Sequence, residues 1–113
     1  MELYCYQATC IRVIDGDTVD LSIDLGFNIH MEHRFRLSGI DTPEIFGVSK
    51  ESEEYQRGIA SKQRLESLVM GQVLEIKTEK DRADKYGRYL ATILVDGVDI
   101  CQTLIAEGLA SQY

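Results

Sequence analysis

Between Val19 and Leu25 the chain alternates without a break: Val19, Leu21, Ile23 and Leu25 are apolar, and Asp20, Ser22 and Asp24 are polar. A period of two marks a strand buried on one face, so residues 19–25 are expected as a half-buried strand with its polar set turned to solvent. A strand over residues 7–14 precedes it. A third follows over 29–37, where Ile29, Met31, Phe35 and Leu37 share one parity, with Gly26-Phe27-Asn28 as the turn or bulge between. Asp17 has the parity of the apolar set in the second strand, and Asp41 continues that of the third. Both carboxylates are therefore expected just beyond the buried faces of neighbouring strands. Arg36 has the opposite parity, so it meets them only through a bulge, a strong twist or a curved barrel wall.

Pro43, the only proline, ends the third strand and biases Thr42 toward an extended backbone. Residues 45–50 read as a loop and 51–70 as a helix. Ser49 or Ser52 is its N-cap, and Glu51, Glu53 and Glu54 sit where the helix dipole favours acids. Tyr55, Ile59, Leu65, Leu68 and Val69 supply its apolar stripe, and Gly71 closes it. Residues 73–78 form a fourth strand, 79–88 a charged loop, and 89–95 a fifth strand that is apolar on both faces and therefore central. Asp96-Gly97 turns the chain into a short helix capped by Asp99, with Gln102 three residues on. Ile100, Cys101, Leu104 and Ile105 are its buried stripe, and Gly108 stops it. Five short strands with a helix between the third and fourth give a β-rich α+β chain. Closing the sheet removes its edges, and a five-stranded OB-type barrel has this strand count.

The length of 113 residues fits a single domain over 1–113 that can bury a working core without disulfides. Charged residues are 27% and apolar residues 44%, a balance that excludes a disordered chain. No apolar run approaches the roughly 20 residues that span a bilayer, so no membrane partner is expected. Met1-Glu2-Leu3-Tyr4-Cys5-Tyr6 lacks the basic start of a secretory leader. A cytoplasmic monomer is expected, or a secreted one if a leader has been removed. Cys5, Cys10 and Cys101 are odd in number, which favours reduced thiols over a disulfide framework. His30 and His33, at i and i+3 on a strand, point to opposite faces and do not pair with Cys5 and Cys10 as a zinc site. The net charge of −7 works against non-specific affinity for phosphate. A carboxylate metal site would account for part of that acidity and leave local charge to decide binding.

Asp17, Asp41 and Glu44 are the candidate chemistry. A hard cation such as Ca2+ or Mg2+ takes oxygen ligands, and two aspartates with the Thr42 carbonyl supply three. An EF-hand loop starting at Asp15 fails, because its sixth and twelfth positions hold Asp20 and Gly26 in place of Gly and Glu. Asp15-Gly16 by spacing alone is equally a hairpin turn, and Asp41-Thr42-Pro43-Glu44 equally a loop running into a helix. Arg36 and Arg88 offer planar forks for phosphate oxygens, although a single arginine is as readily a solvated surface charge. Glu44 can orient or deprotonate an attacking water. Residues 77–88 carry five basic and three acidic side chains, a modest positive patch. Tyr86 and Tyr113 can bond phosphate, stack on a base, or serve as ordinary interfacial tyrosines.

Five motifs appear in order: Val13-Ile14-Asp15-Gly16-Asp17-Thr18-Val19, Phe35-Arg36-Leu37, Asp41-Thr42-Pro43-Glu44, Asp84-Lys85-Tyr86-Gly87-Arg88 and Glu107-Gly108-Leu109-Ala110. In this order and spacing the chain resembles the staphylococcal (micrococcal) nuclease family over residues 8–113. The resemblance implies a five-stranded OB barrel with flanking helices and Ca2+-dependent hydrolysis of DNA and RNA to products with 3′-phosphates. It implies Asp17 and Asp41 as Ca2+ carboxylates, Thr42 as a carbonyl ligand, Asp15 as an outer-shell acid and Glu44 as general base. Arg36 and Arg88 match the phosphate-binding arginines, Lys85 and Tyr86 the contacts to a terminal phosphate, and Tyr113 the tyrosine beside the base. The chain departs from the family enzyme in being acidic, in carrying three cysteines, and in ending at Tyr113, where a last helix is expected to be lacking. Two other readings stand beside the nuclease: a non-catalytic module of the same fold that binds nucleic acid or protein, and a structural Ca2+ site. The first is disfavoured by the completeness of the motif set, the second by the two arginines it leaves without a role.

Overall fold

The computed structural model describes residues 3–83 and 85–113, with side chains described outside 80–83. Asp84, which opens the fourth motif, lies outside the described residues. The chain runs β1 (Cys5–Asp15), β2 (Thr18–Asp24), β3 (His30–Leu37), β4 (Ile40–Asp41), α1 (Glu53–Val69), β5 (Leu74–Ala83), β6 (Tyr89–Val95), β7 (Val98–Asp99), α2 (Ile100–Ala106) and β8 (Ser111–Gln112). The main sheet has the order β3-β2-β1-β5-β6-β7, and β3 also pairs with β6 in parallel. That last pairing closes β1, β2, β3, β6 and β5 into a five-stranded barrel with OB topology, as expected. Among the described residues, no helix is long and apolar enough to cross a membrane.

The alternating strand reads as predicted on its inner face up to Ile23, whereas Leu25 lies past the end of β2 and is 40% exposed. Val19, Leu21 and Ile23 are buried, and with Phe35, Leu37, Leu74, Ile76, Ala91 and Ile93 they fill the barrel. α1 and α2 close one end with Leu65, Val69, Ile100, Cys101 and Leu104. Ser52 is the N-cap of α1, its hydroxyl accepting from the Tyr55 amide at 3.1 Å. Asp99 caps α2 through the Cys101 amide at 2.9 Å.

Four further expectations need correction. Ile29 and Met31 share the buried parity of Phe35, yet they are 54% and 44% exposed. β3 meets β6 only from Phe35 to Leu37, so the outer end of the β2–β3 hairpin projects past the closed wall. Asp20, on the solvent face by alternation, is only 7% exposed because Arg12 and Arg34 lie over it. The charged segment after Thr78 is not a loop from its start, since β5 continues to Ala83 and pairs there with Tyr89. The stripe of α1 is buried at Gly58, Ser61, Leu65 and Val69, while Tyr55, Ile59 and Leu68 stay half-buried. Small residues hold the first half of that stripe because backbone passes directly against it.

A β-carbon added at Gly58 would meet the Ile45 side chain and stand 2.7 Å from the Pro43 carbonyl oxygen. Gly58→Ala gains about 1 kcal/mol of helix propensity. Overpacking against backbone costs about 1–3 kcal/mol, and a carbonyl cannot swing aside as a side-chain tip can. The variant is expected to be destabilised by about 1 kcal/mol net, read as a lower urea midpoint at unchanged slope. A raised midpoint would mean that the 43–45 loop yields freely.

Candidate active site

β1 turns into β2 through Asp15-Gly16-Asp17, with a register shift between Val13 and Asp15. The Asp15 carboxylate accepts from the Asp17 amide at 3.0 Å, an Asx-type turn that holds the two acids together. A side chain at Gly16 would strike Thr42 and Ser61, so the absence of one lets the 41–44 loop sit directly on this turn. Across the gap, Gly39 adopts φ +80°, a conformation that favours glycine, and reverses the chain from β3 into β4. β4 is then held by β8, with Ile40 opposite Gln112 and Asp41 opposite Ser111.

These two turns meet at Asp17, whose residue is 8% exposed. Its carboxylate accepts the Thr18 hydroxyl at 3.1 Å and the Thr42 amide at 3.3 Å. The Arg36 guanidinium stands 3.8 Å from it and 3.4 Å from the Asp41 carboxylate. Arg36 also donates to the Ile40 carbonyl at 3.1 Å. The parity conflict is resolved without a bulge in β3, whose register against β2 is continuous. The chain reversal at Gly39 brings Asp41 back to the end of the strand, and the long arginine reaches it there.

Arg88 donates to the Thr18 hydroxyl at 2.8 Å, so Thr18 links the late basic segment to Asp17. Tyr86 lies in the same segment, its ring 5.1 Å from the Lys85 ammonium and 5.2 Å from the Arg88 guanidinium. The Tyr113 ring covers Arg36 at 4.9 Å, and its amide donates to the Gly39 carbonyl at 2.9 Å. Glu44 is exposed and borders a cavity of about 420 Å3 with Asp41, Thr42, Arg57 and Ser61. Asp17, Arg36, Asp41, Thr42, Asp15 and Tyr113 thus form one contact group, with Arg88 joined through Thr18. Glu44 shares a cavity with Asp41 and Thr42, and Tyr86 shares one with Asp15 and Arg88. Thr18, Arg57 and Ser61 also border this region. Thr18 was legible as the threonine that follows Asp17, whereas the other two depend on which face of α1 turns inward.

Among the described residues, no three His, Cys, Asp or Glu side chains close in as a preformed metal centre. The available donors are nevertheless all hard oxygens: the Asp17 and Asp41 carboxylates, the Thr42 carbonyl and Asp15 behind them. Burial, and then the hydrogen bond and charge of Asp15, push the Asp17 carboxyl up from 3.8 to about 6, against the pull of Arg36 and the Thr42 amide. A buried acid with more negative charge around it than positive is suited to a divalent cation, and the donor set fits one.

A closed OB barrel with acids at its β1–β2 and β3–β4 turns, Arg36 near the end of β3 and Arg88 just before β6 has the layout of a nuclease-like barrel domain. The Staphylococcal nuclease homologue family model matches residues 34–113, and the chain belongs to that family. It is 37% identical over 105 residues to the SPbeta prophage-derived endonuclease YokF of Bacillus subtilis, covering 92% of this chain and 33% of that protein. It is 36% identical over 105 residues to the endonuclease YncB of the same organism, covering 92% of this chain and 46% of that protein. With the thermonuclease of Staphylococcus intermedius it shares 32% over 99 residues, 88% of this chain and 55% of that protein. The chain therefore spans between a third and just over half of the length of these relatives.

Asp17 sets a pH dependence with a definite sign. The folded state keeps this proton to higher pH than the unfolded chain, so stability falls as pH rises from 3.8 toward 6. Asp17→Asn removes the penalty. In EDTA at pH 7.5 or so the variant is expected to be more stable by on the order of 2 kcal/mol, with no gain near pH 4. Urea unfolding at the two pH values measures both, and equal effects at both would refute the burial argument.

Proposed function

We infer that this chain is a divalent-cation-dependent nuclease domain that hydrolyses phosphodiester bonds in DNA, RNA or both. The observation that carries the reading is the Arg36 guanidinium lodged between the Asp17 and Asp41 carboxylates, with Arg88 anchored one residue away on Thr18. Opposite charges set this closely can take a cation and a phosphate together. Relatives named endonuclease and thermonuclease support it.

Asp17, Asp41 and the Thr42 carbonyl would hold the cation, Ca2+ by preference and Mg2+ or another divalent ion as the alternative, with Asp15 supporting Asp17 from behind. When bound, it supplies Lewis-acid neutralisation of a phosphate oxygen. The residues of the chain do the rest. Glu44 accepts a proton from the water that attacks phosphorus. Arg36 and Arg88 donate to the phosphoryl oxygens as charge builds on them in the five-coordinate transition state. The bond from phosphorus to the 5′ oxygen breaks, the leaving oxygen takes up a proton from solvent water, Glu44 gives its proton back to solvent, and the phosphate stays on the 3′ oxygen. Lys85 and Tyr86 bind a terminal phosphate, and Tyr113 stands beside the base.

Cleavage of single-stranded DNA and of RNA in Ca2+, in Mg2+ and in EDTA tests the reading. Cleavage is expected with a divalent cation and lost in EDTA. Glu44→Gln should lower the rate by about 10²–10⁴-fold and Arg88→Ala by about 10²–10³-fold, both with an unchanged melting temperature. A folded wild-type domain that cleaves under none of these conditions would leave the non-catalytic binding module as the reading.

A further inference from the structure

Arg12, Asp20 and Arg34 stand side by side on three adjacent strands. Arg12 is the register partner of Asp20 on β1 and β2, and Asp20 that of Arg34 on β2 and β3. Asp20 is 7% exposed, whereas the arginine side chains over it are 58% and 50% exposed. Arg34 grips both carboxylate oxygens, through Nε at 2.8 Å and Nη2 at 3.2 Å, and Arg12 donates to one of them through Nη1. One buried negative charge thus holds two guanidiniums in place and leaves the rung net positive. A guanidinium carries five N–H donors, more than Asp20 engages, so each keeps donors for a ligand.

The rung is aligned with the candidate active site. Thr18 and Arg36 are paired two residues along the same two strands, hence on the same face about 7 Å away. That is close to the step between neighbouring phosphates of an extended single strand. Arg88 sits on Thr18. A cavity of about 390 Å3 bordered by Asp15, Thr18 and Phe46 and another of about 430 Å3 bordered by Arg12 and Asp20 share Arg34, Tyr86 and Arg88. They form one groove from the Asp15–Thr18 turn to the rung. Tyr86 and Phe46 border it, 71% and 60% exposed, as flat surfaces for bases. Glu32, next on this face of β3, ends the positive row.

We propose that the Arg12–Asp20–Arg34 rung is a subsite for the sugar–phosphate backbone of a single-stranded polynucleotide, one step from the phosphate held by Arg36. The placement of the cleaved phosphate rests on the nuclease reading, but the binding itself does not. Phosphate contacts of this kind give affinity and register without sequence preference. They also let a chain of net charge −7 hold a polyanion through one local row of arginines.

The test is fluorescence anisotropy of a labelled oligothymidylate of about a dozen nucleotides, titrated in EDTA against the whole chain and two variants. Arg12→Gln with Arg34→Gln removes both guanidinium charges and leaves only shorter, neutral amide donors. The same pair with Asp20→Asn leaves no buried unpaired charge and guards against misfolding, with thermal melting as the check. Both variants are expected to bind about tenfold more weakly, with the slope of log affinity against log salt reduced by about 1.4. With a divalent cation present, the ratio of kcat/KM on the oligonucleotide to that on a single-phosphodiester thymidine substrate should fall by about tenfold. Folded variants that bind with wild-type affinity and salt slope would overturn the proposal. So would equal losses on long and short substrates, which would make the rung merely a strand clamp. A wild type that binds through this rung in EDTA but never cleaves would sustain the subsite while refuting the nuclease reading.

Discussion

The parallel pairing of Phe35, Arg36 and Leu37 with Tyr89, Leu90 and Ala91 is the contact on which the rest of the structure depends. Without it, β3 and β6 are two open edges of a curled sheet, and the barrel core faces water along the seam. Closure also assembles the site. Arg36 is in the seam itself, and Arg88 immediately precedes the strand that seals it. Joining the two strands therefore delivers Arg88 to Thr18, the register partner of Arg36, across a long stretch of sequence. The Ser38 amide extends the seam by donating to the Ala91 carbonyl at 2.9 Å, at the start of the Gly39 reversal that returns Asp41 to Asp17. The same few hydrogen bonds thus fix the barrel and the spacing of its acids and arginines.

Much of this was legible in the sequence, because the barrel interior is written in period two and the helix ends in capping residues. The inner faces of β2 and β3 near the seam and the Ser52 and Asp99 caps follow from local rules. What local rules could not supply was the length over which the barrel is closed. Met31 and Phe35 have the same parity and the same chemistry, but only Phe35 lies where β6 covers it. Alternation says which way a side chain points and leaves open whether anything lies there.

The site was legible as a set of residue types and less so as a geometry. Asp17 and Asp41 were placed from strand parity at the ends of two buried faces, and both carboxylates reach the Arg36 guanidinium. The route by which Arg36 joins them is a chain reversal held by β8, a strand of two residues too short to carry a pattern. Gly58 and Ser61 make the complementary point. An apolar stripe predicts what a helix buries against side chains. Here α1 buries its first half against the Pro43 and Glu44 carbonyls, the Ile45 side chain and the Asp15–Asp17 turn, where there is room only for small residues.

Asp17 and Asp20 are both little exposed, but Asp17 lies deeper among protein atoms, and the two carboxyls shift in opposite directions. Asp20 has two guanidiniums on its oxygens, and Arg34 first, then Arg12, hold its carboxyl below the usual range. Its charge is met from within the chain, so deleting either arginine disturbs a satisfied group. Asp17 has one guanidinium at 3.8 Å, shared with Asp41, and a second acid behind it. Its charge is not met from within, and its carboxyl is raised to about 6. Leaving Asp17 under-compensated is intelligible if a cation from outside completes it, and the stability given up in its absence is then returned on binding. The two aspartates divide the outer wall accordingly: one rung carries its own counter-charge and presents arginines, and the turn beside it presents acids that share the single Arg36 guanidinium.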